Sequence, residues 1–285
     1  MDSWQRSGLT LTVRDAGPAT GPAVVCLHGF PQDGRAYDAV VPLLVAGGAR
    51  VLMPDQRGYS PGARPAGRAP YRLGELVGDV LALLDAAGLA AAHVVGHDWG
   101  GVVAWGLASA APERVSSLTV LGTPHPAALR ASLPRSTQAL RSSYMAAFQV
   151  PGVPEALLSA RGGAVLRAAL RRSGLPRQHA ERYAARMLEP GALTAALAWY
   201  RALVLRPASP LDAVGPVAVP TTLLHATQDP FFAPWAVRAS GEHVRAPFQR
   251  REVAVGHWLP ELAPAEVARA VLDRLDPSAR VAPAN

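Results

Sequence analysis

The sequence predicts an α/β fold: a mostly parallel sheet with helices on both faces and a long inserted helical cap. Three observations carry this. Up to Leu121, short β-like runs alternate with helical ones, the pattern of a parallel sheet covered on both sides. From about Leu129 to Arg206 the β-type runs vanish, and Ala, Leu and Arg dominate. Strand signals then resume, and the chain closes on a helix.

The strands expected in the first part are Leu9–Val13, Val24–Leu27, Arg50–Met53, His93–Val95 and Ser117–Leu121. Leu73, Leu76, Val77, Val80, Leu81, Leu83 and Leu84 recur at helical spacing, and Gly88 follows as a stop. Ser60 to Pro70 reads as a loop, being rich in Pro, Gly and Ala. The insert is punctuated by Pro134, Pro151, Gly152, Pro154, Pro176, Pro190 and Pro207. Strands are then expected at Thr221–Leu224 and Arg251–Val255, and a helix from Pro264 to about Leu275. This divides the chain into a first core part (1–128), the cap (129–206), a second core part (207–276) and a frayed tail (277–285). There is no internal repeat, and no metal-ligand spacing of Cys or His.

Composition narrows the class. With 285 residues, 49% hydrophobic and 17% charged, the chain is not mainly disordered. A domain of this size buries roughly 75% of the surface its unfolded chain exposes and needs no disulfide or metal staple. Cys26, the only cysteine, sits in the apolar run Ala23–Leu27 and reads as a small core residue in a reducing compartment. The first eight residues hold no apolar stretch, and no apolar run reaches the roughly 20 residues that span a bilayer. A cytoplasmic protein is expected.

The net charge of +7 comes entirely from arginine; the chain has no lysine and no isoleucine, and Asn285 is its only asparagine. A GC-rich bacterial genome explains that choice without a polyanionic partner. Position is more informative. The 12 arginines of residues 129–206 face only Glu155, Glu181 and Glu189, leaving the rest of the chain slightly acidic.

The most specific motif is Gly96-His97-Asp98-Trp99-Gly100-Gly101, between the strand ending at Val95 and the helical run Val102–Ala108. Small residues around a central one allow a sharp strand-to-helix turn that holds the central side chain exposed. Asp98 takes this nucleophile position, where serine is common. A carboxylate attacking an ester carbonyl would give an anhydride no easier to handle than the substrate. Attack on a saturated carbon with a strained or good leaving group gives an ordinary ester that water can cleave. The elbow therefore points to epoxides or alkyl halides, and its bland alternative is a Gly-rich turn with a helix-capping Asp.

Two further matches count against that alternative. His28-Gly29-Phe30-Pro31 follows the strand Val24–Leu27, so the N–H groups of Phe30 and Trp99 are expected to form an oxyanion hole. Downstream, Asp229 and His257 each follow a strand, in the chain order nucleophile, acid, histidine. His93, His125, His179, His225 and His243 read as solvated or capping residues.

With these residues in place, the chain resembles the α/β-hydrolase family and, within it, the microsomal and soluble epoxide hydrolase group. The resemblance runs from about Leu9 to Leu275. It is carried by His28-Gly29-Phe30-Pro31, Asp55-Gln56-Arg57-Gly58-Tyr59-Ser60, the Asp98 elbow and Gly256-His257-Trp258-Leu259-Pro260. In that group two cap tyrosines protonate the departing alkoxide. Ser143-Tyr144-Met145-Ala146-Ala147-Phe148-Gln149 and Ala198-Trp199-Tyr200-Arg201 look like the family's tyrosine segments, which implies Tyr144 and Tyr200 as general acids. Ala198 stands where an asparagine is usual. Asp55 and Arg57 are expected to serve loop architecture, Tyr37, Tyr71 and Tyr183 packing, and His28, Pro31 and Trp199 the substrate pocket.

The expected activity is hydrolysis of a small-molecule epoxide to a vicinal diol, with no cofactor, metal, nucleic acid or membrane, in a monomer or homodimer. The nearest rival is a haloalkane dehalogenase, which uses the same Asp and for which Trp99 and Trp199 could bind halide. Halide release needs no acid, which leaves the tyrosine pair without a task, and Phe30 replaces the asparagine that some dehalogenases carry after His-Gly. A non-catalytic ligand-binding homologue is opposed by retention of all the reacting groups. Nucleic-acid binding by the basic cap finds no reading motif.

Overall fold

The computed structural model describes residues 1–275; the tail expected at 277–285 lies outside the described residues. Eight strands form one sheet in the order β1-β2-β4-β3-β5-β6-β7-β8. They are β1 (Ser3–Arg6), β2 (Leu9–Ala16), β3 (Ala23–Leu27), β4 (Arg50–Pro54), β5 (Ala92–His97), β6 (Val115–Leu121), β7 (Thr221–Ala226) and β8 (Phe248–Val253). Neighbours from β4 through β8 are parallel, while β2 runs antiparallel to both β1 and β4. Every residue of β3, β5 and β7 is buried, as expected of central parallel strands covered on both faces.

Helices Leu73–Ala86 and Trp99–Ala110 cover one face, around Trp105, Leu83 and Val103. Helices Val41–Ala46 and Pro264–Leu275 cover the other, around Tyr37, Leu44, Val267 and Val271. Cys26 is a free, buried thiol in that second layer, and burial raises its pKa.

Two strand expectations need correction. β1 has no counterpart in the sequence reading, because of its four residues only Trp4 is buried and Ser-Trp-Gln-Arg shows no apolar alternation. It is held by pairing with β2 and by the Trp4 indole donating to Asp79 O at 3.1 Å. The last strand lies at Phe248–Val253 rather than Arg251–Val255. It is an edge strand paired only with β7, so its polar Gln-Arg-Arg stretch can face water. Val255 instead turns back to Val253 O, and this turn leads toward His257.

Among the described residues there is no strand between Leu121 and Thr221; six helices fill the interval. They are Pro126–Ser132, Gln138–Arg141, Tyr144–Phe148, Val153–Arg172, Arg177–Met187 and Ala192–Ala202. The fourth is broken at Ala160–Gly163, where Arg161, Gly162 and Gly163 adopt positive φ. Ala192–Ala202 is buried along almost its whole length, and its Arg201 is locked to Glu155 at 2.6 and 2.9 Å. No helix among the described residues is long and apolar enough to cross a membrane.

Candidate active site

Asp98 stands between the end of β5 and helix Trp99–Ala110, at φ +50° and ψ −120°. A side chain rarely adopts such a backbone conformation, and here the surroundings enforce it. A Cβ on Gly96 would overlap Gly100 O, and one on Gly100 would overlap Leu27 O, so the turn is tight enough to admit only glycine there. A Cβ on Gly29 would collide with the Asp98 side chain itself. The loop after β3 therefore lies directly against the Asp98 carboxylate.

That approach brings backbone N–H groups to the carboxylate. The Phe30 N–H donates to Asp98 Oδ2 at 2.9 Å, and the Trp99 N–H also bonds the carboxylate. Oδ2 is thus held by the Phe30 N–H, while Oδ1 lies toward His257 Nε2. Burial raises the Asp98 pKa above the ordinary carboxylate value, opposed by the charge of His257 and by the two N–H groups.

His257 and Asp229 arrive from the loops after β8 and β7. His257 Nδ1 is 2.8 Å from Asp229 Oδ2, and its Nε2 is 3.9 Å from Asp98 Oδ1. The other Asp229 oxygen accepts the N–H groups of Phe231 at 2.7 Å and Phe232 at 3.2 Å. Burial opposes charge on His257, yet Asp229 and Asp98 push its pKa above the ordinary imidazole value.

Tyr200 projects from the buried helix Ala192–Ala202 and Tyr144 from Tyr144–Phe148; their rings are 6.0 Å apart. The two phenols meet edge to face, and the Tyr200 ring also meets the Trp99 indole edge-on at 5.1 Å. Burial raises both tyrosine pKa values, and the Asp98 charge adds to the rise. Phe30, Trp99 and Phe148 ring the Tyr200 phenol at 5.0 to 5.6 Å. The sequence-predicted Asp98, His257, Asp229, Tyr144, Tyr200, Phe30 and Trp99 thus converge.

Other expected site residues sit further back. Trp199 stacks edge-on to Trp99 at 5.6 Å, but its indole N–H is committed to Arg57 O at 2.9 Å. His28 is fully buried, with its ring nitrogens against Gly29 O and the Gln56 N–H. It braces the loop that carries Phe30. Pro31 is buried in the same loop. Arg57 forms a buried bidentate pair with Asp79 at 2.6 and 2.7 Å, an architectural role.

The chain matches the model of the family with the α/β-hydrolase fold over residues 22–264. It belongs to the α/β-hydrolase family. Within it the chain falls in the epoxide hydrolase group. It is 36% identical over 274 residues to the AB hydrolase superfamily protein YfhM of Bacillus subtilis, covering 94% of this chain and 95% of that protein. It is 31% identical over 312 residues to epoxide hydrolase A of Mycobacterium tuberculosis, again covering 94% and 95%. Among solved structures, epoxide hydrolase A of Mycobacterium thermoresistibile superposes with a TM-score of 0.80 at 27% identity, over 96% of this chain and 97% of that one. The protein is a hydrolase enzyme.

This α/β-hydrolase also contains site neighbours that sequence reasoning passed over. Gln32 accepts the Gly29 N–H at 2.9 Å, and His97, read only as part of the elbow motif, bridges Gln32 and His257 O. Arg141 donates to Asp229 O at 2.7 Å, and Gln138 bonds Phe231 O and the Ala233 N–H, so the insert grips the acid loop. Gln32 directly follows His28-Gly29-Phe30-Pro31, which was a usable signal. Nothing local marks Gln138 or Arg141, because their partners lie about 90 residues away.

Proposed function

We propose that the protein hydrolyses an epoxide to a vicinal diol through a covalent alkyl-enzyme ester on Asp98. The observation that carries this reading is the paired Tyr144 and Tyr200 hydroxyls in the field of a carboxylate whose Oδ2 is already held by the Phe30 N–H. A nucleophile with two proton donors near it suits the opening of a strained C–O bond.

In the first half-reaction, Asp98 Oδ1 forms a bond to one oxirane carbon as that carbon's bond to oxygen breaks. The released oxygen takes a proton from the tyrosine pair. In the second, His257 Nε2 takes a proton from water as the water oxygen adds to the Asp98 carboxyl carbon. The negative oxygen that forms is Oδ2, which already accepts the Phe30 N–H, with the Trp99 N–H as the second donor of this reading. Collapse breaks the bond to the alkyl oxygen, which takes the proton from His257. Asp98 is left as the acid, and its proton returns to the tyrosinate, closing the cycle without a cofactor. Asp229 holds the Nδ1–H of His257 and so keeps the Nε2 lone pair toward the ester.

The helices between β6 and β7, expected as residues 129–206, act in this reading as a cap that delivers the tyrosines and shapes the substrate space. The relatives named epoxide hydrolases, which this chain matches along nearly its whole length, support the reaction class. The Trp199 N–H, tied to Arg57 O, is unavailable to a halide, which counts against dehalogenation. The test is turnover of a panel containing styrene oxide, a long-chain epoxide and a bromoalkane. Diol formation without bromide release is expected; bromide release without diol formation refutes the reading.

A further inference from the structure

We propose that Glu261 is a positioning residue for hydrolysis of the ester, acting through Gln32 on the loop that carries the Phe30 N–H. The inference rests on the covalent reading above. Glu261 lies four residues after His257, on the turn Leu259–Leu262. Its Oε1 accepts the Gln32 amide N–H at 2.8 Å and the Tyr183 O–H at 2.6 Å. Its Oε2 is sealed from solvent with no hydrogen-bond partner. A buried carboxyl half satisfied in this way costs stability unless the residue does something else.

Gln32 shows what that is. Its side-chain oxygen accepts the Gly29 N–H at 2.9 Å, and its own backbone N–H donates to Gly29 O at 2.9 Å. Gln32 therefore closes the turn Gly29-Phe30-Pro31-Gln32 from both sides. Gly29 is pressed against Asp98, so any shift of this turn moves the Phe30 N–H relative to Oδ2. The Gln32 oxygen also meets His97 Nδ1 at 2.8 Å, and His97 Nε2 meets His257 O at 2.9 Å. Burial keeps His97 neutral, so it donates to one of these two oxygens and packs against the other, placing Gln32 beside the end of β5 and the histidine loop. Tyr183, expected to be mere packing, ties Glu261 to helix Arg177–Met187 of the insert.

The charged and titratable groups facing Glu261 are Tyr183 and Arg182 from the insert, and Tyr37 and His257 from the core. Burial pushes its carboxyl up to about 7, with Tyr183 and Gln32 pulling the other way. The ionised form is the stronger acceptor, so Gln32 is held most firmly above that pH.

The test measures formation and decay of the alkyl-enzyme separately, by rapid quench and intact-protein mass spectrometry, with whichever of styrene oxide and the long-chain epoxide is turned over faster. Glu261→Ala is expected to slow decay by about 10- to 100-fold, the scale of a small misplacement at a reacting centre, and to slow formation much less. Glu261→Gln keeps an accepting oxygen and is expected to restore most of the decay rate while removing an ionisation near neutrality from its pH profile. Tyr183→Phe, which deletes one hydroxyl, is expected to shift the decay-to-formation ratio in the same direction, and it serves if the alanine variant does not fold. Equal slowing of both steps, or an unchanged ratio in a folded variant, overturns this inference alone. Absence of any adduct in His257→Gln overturns the covalent reading, and this inference with it.

Discussion

Asp229 Oδ2 and His257 Nδ1 lie 2.8 Å apart, while the opposite nitrogen of the same ring is 3.9 Å from Asp98 Oδ1. The second distance is too long for a hydrogen bond, so His257 is oriented by the acid without being consumed by the nucleophile. This separation fits the proposed mechanism, in which His257 activates water and Asp98 attacks unaided.

Replacing His257 by Gln is accordingly expected to leave alkylation possible and stop hydrolysis, so that the ester accumulates. Intact-protein mass spectrometry should show one added substrate mass, and digestion should place it on the peptide containing Asp98. An adduct mapping elsewhere would instead support direct attack by a His-activated water.

Asp98→Ala should abolish turnover. The side chain packs mainly against Gly29 and the two N–H donors, and its φ of +50° is unfavourable for alanine as well, so thermal stability should change little. Diol formation above trace level in a folded Asp98→Ala protein would falsify the covalent mechanism.

The tyrosines back one another. Their rings lie 6.0 Å apart beside Asp98, so either hydroxyl can still stabilise an opening alkoxide when the other is lost. Tyr144→Phe and Tyr200→Phe should each slow ring opening, and the double variant should approach total loss, a positioned acid being worth about 10²–10⁴-fold. Bromoalkane hydrolysis that survived in the double variant would move the assignment to dehalogenation.

The legible part of this protein was the part with local signatures. The elbow could be read because Gly96, Gly100 and Asp98 are adjacent in sequence and the turn tolerates little else. Strands β3, β5 and β7 could be read because parallel strands buried on both faces are continuous apolar runs. β1 and the start of β8 could not, since edge strands can be polar, and their pairing is set by partners elsewhere in the chain. Distance hid the rest of the site. Glu261 joins Gln32 across 229 positions and Tyr183 across 78, and no window along the sequence holds both ends of such a contact. Tyr183 illustrates the limit: a tyrosine at helical spacing is usually packing, and only its 2.6 Å contact with Glu261 shows otherwise.

The pH dependence follows from the signs at His257. Burial alone would lower its pKa, but Asp229 and Asp98 outweigh burial, so in the free enzyme it titrates above the ordinary imidazole value of about 6.5. Alkylation turns the Asp98 carboxylate into a neutral ester and removes one of the charges holding that proton, which also include Asp229 and Glu261. The His257 pKa should therefore fall on going from free enzyme to intermediate. Ester decay needs neutral His257 and is lost as pH drops through the intermediate's value; alkylation needs ionised Asp98, whose pKa burial raises, and not neutral His257, so its acid limb follows Asp98 rather than His257. In Asp229→Asn the largest raising charge is gone as well. Its decay limb should move to still lower pH, while the plateau drops because an amide can present its NH₂ to Nδ1 and turn the tautomer around. Single-turnover decay recorded against pH, in the Glu261→Gln background to remove the neighbouring carboxyl, separates these effects. A formation rate with the same acid limb as decay would mean that His257 acts in both steps.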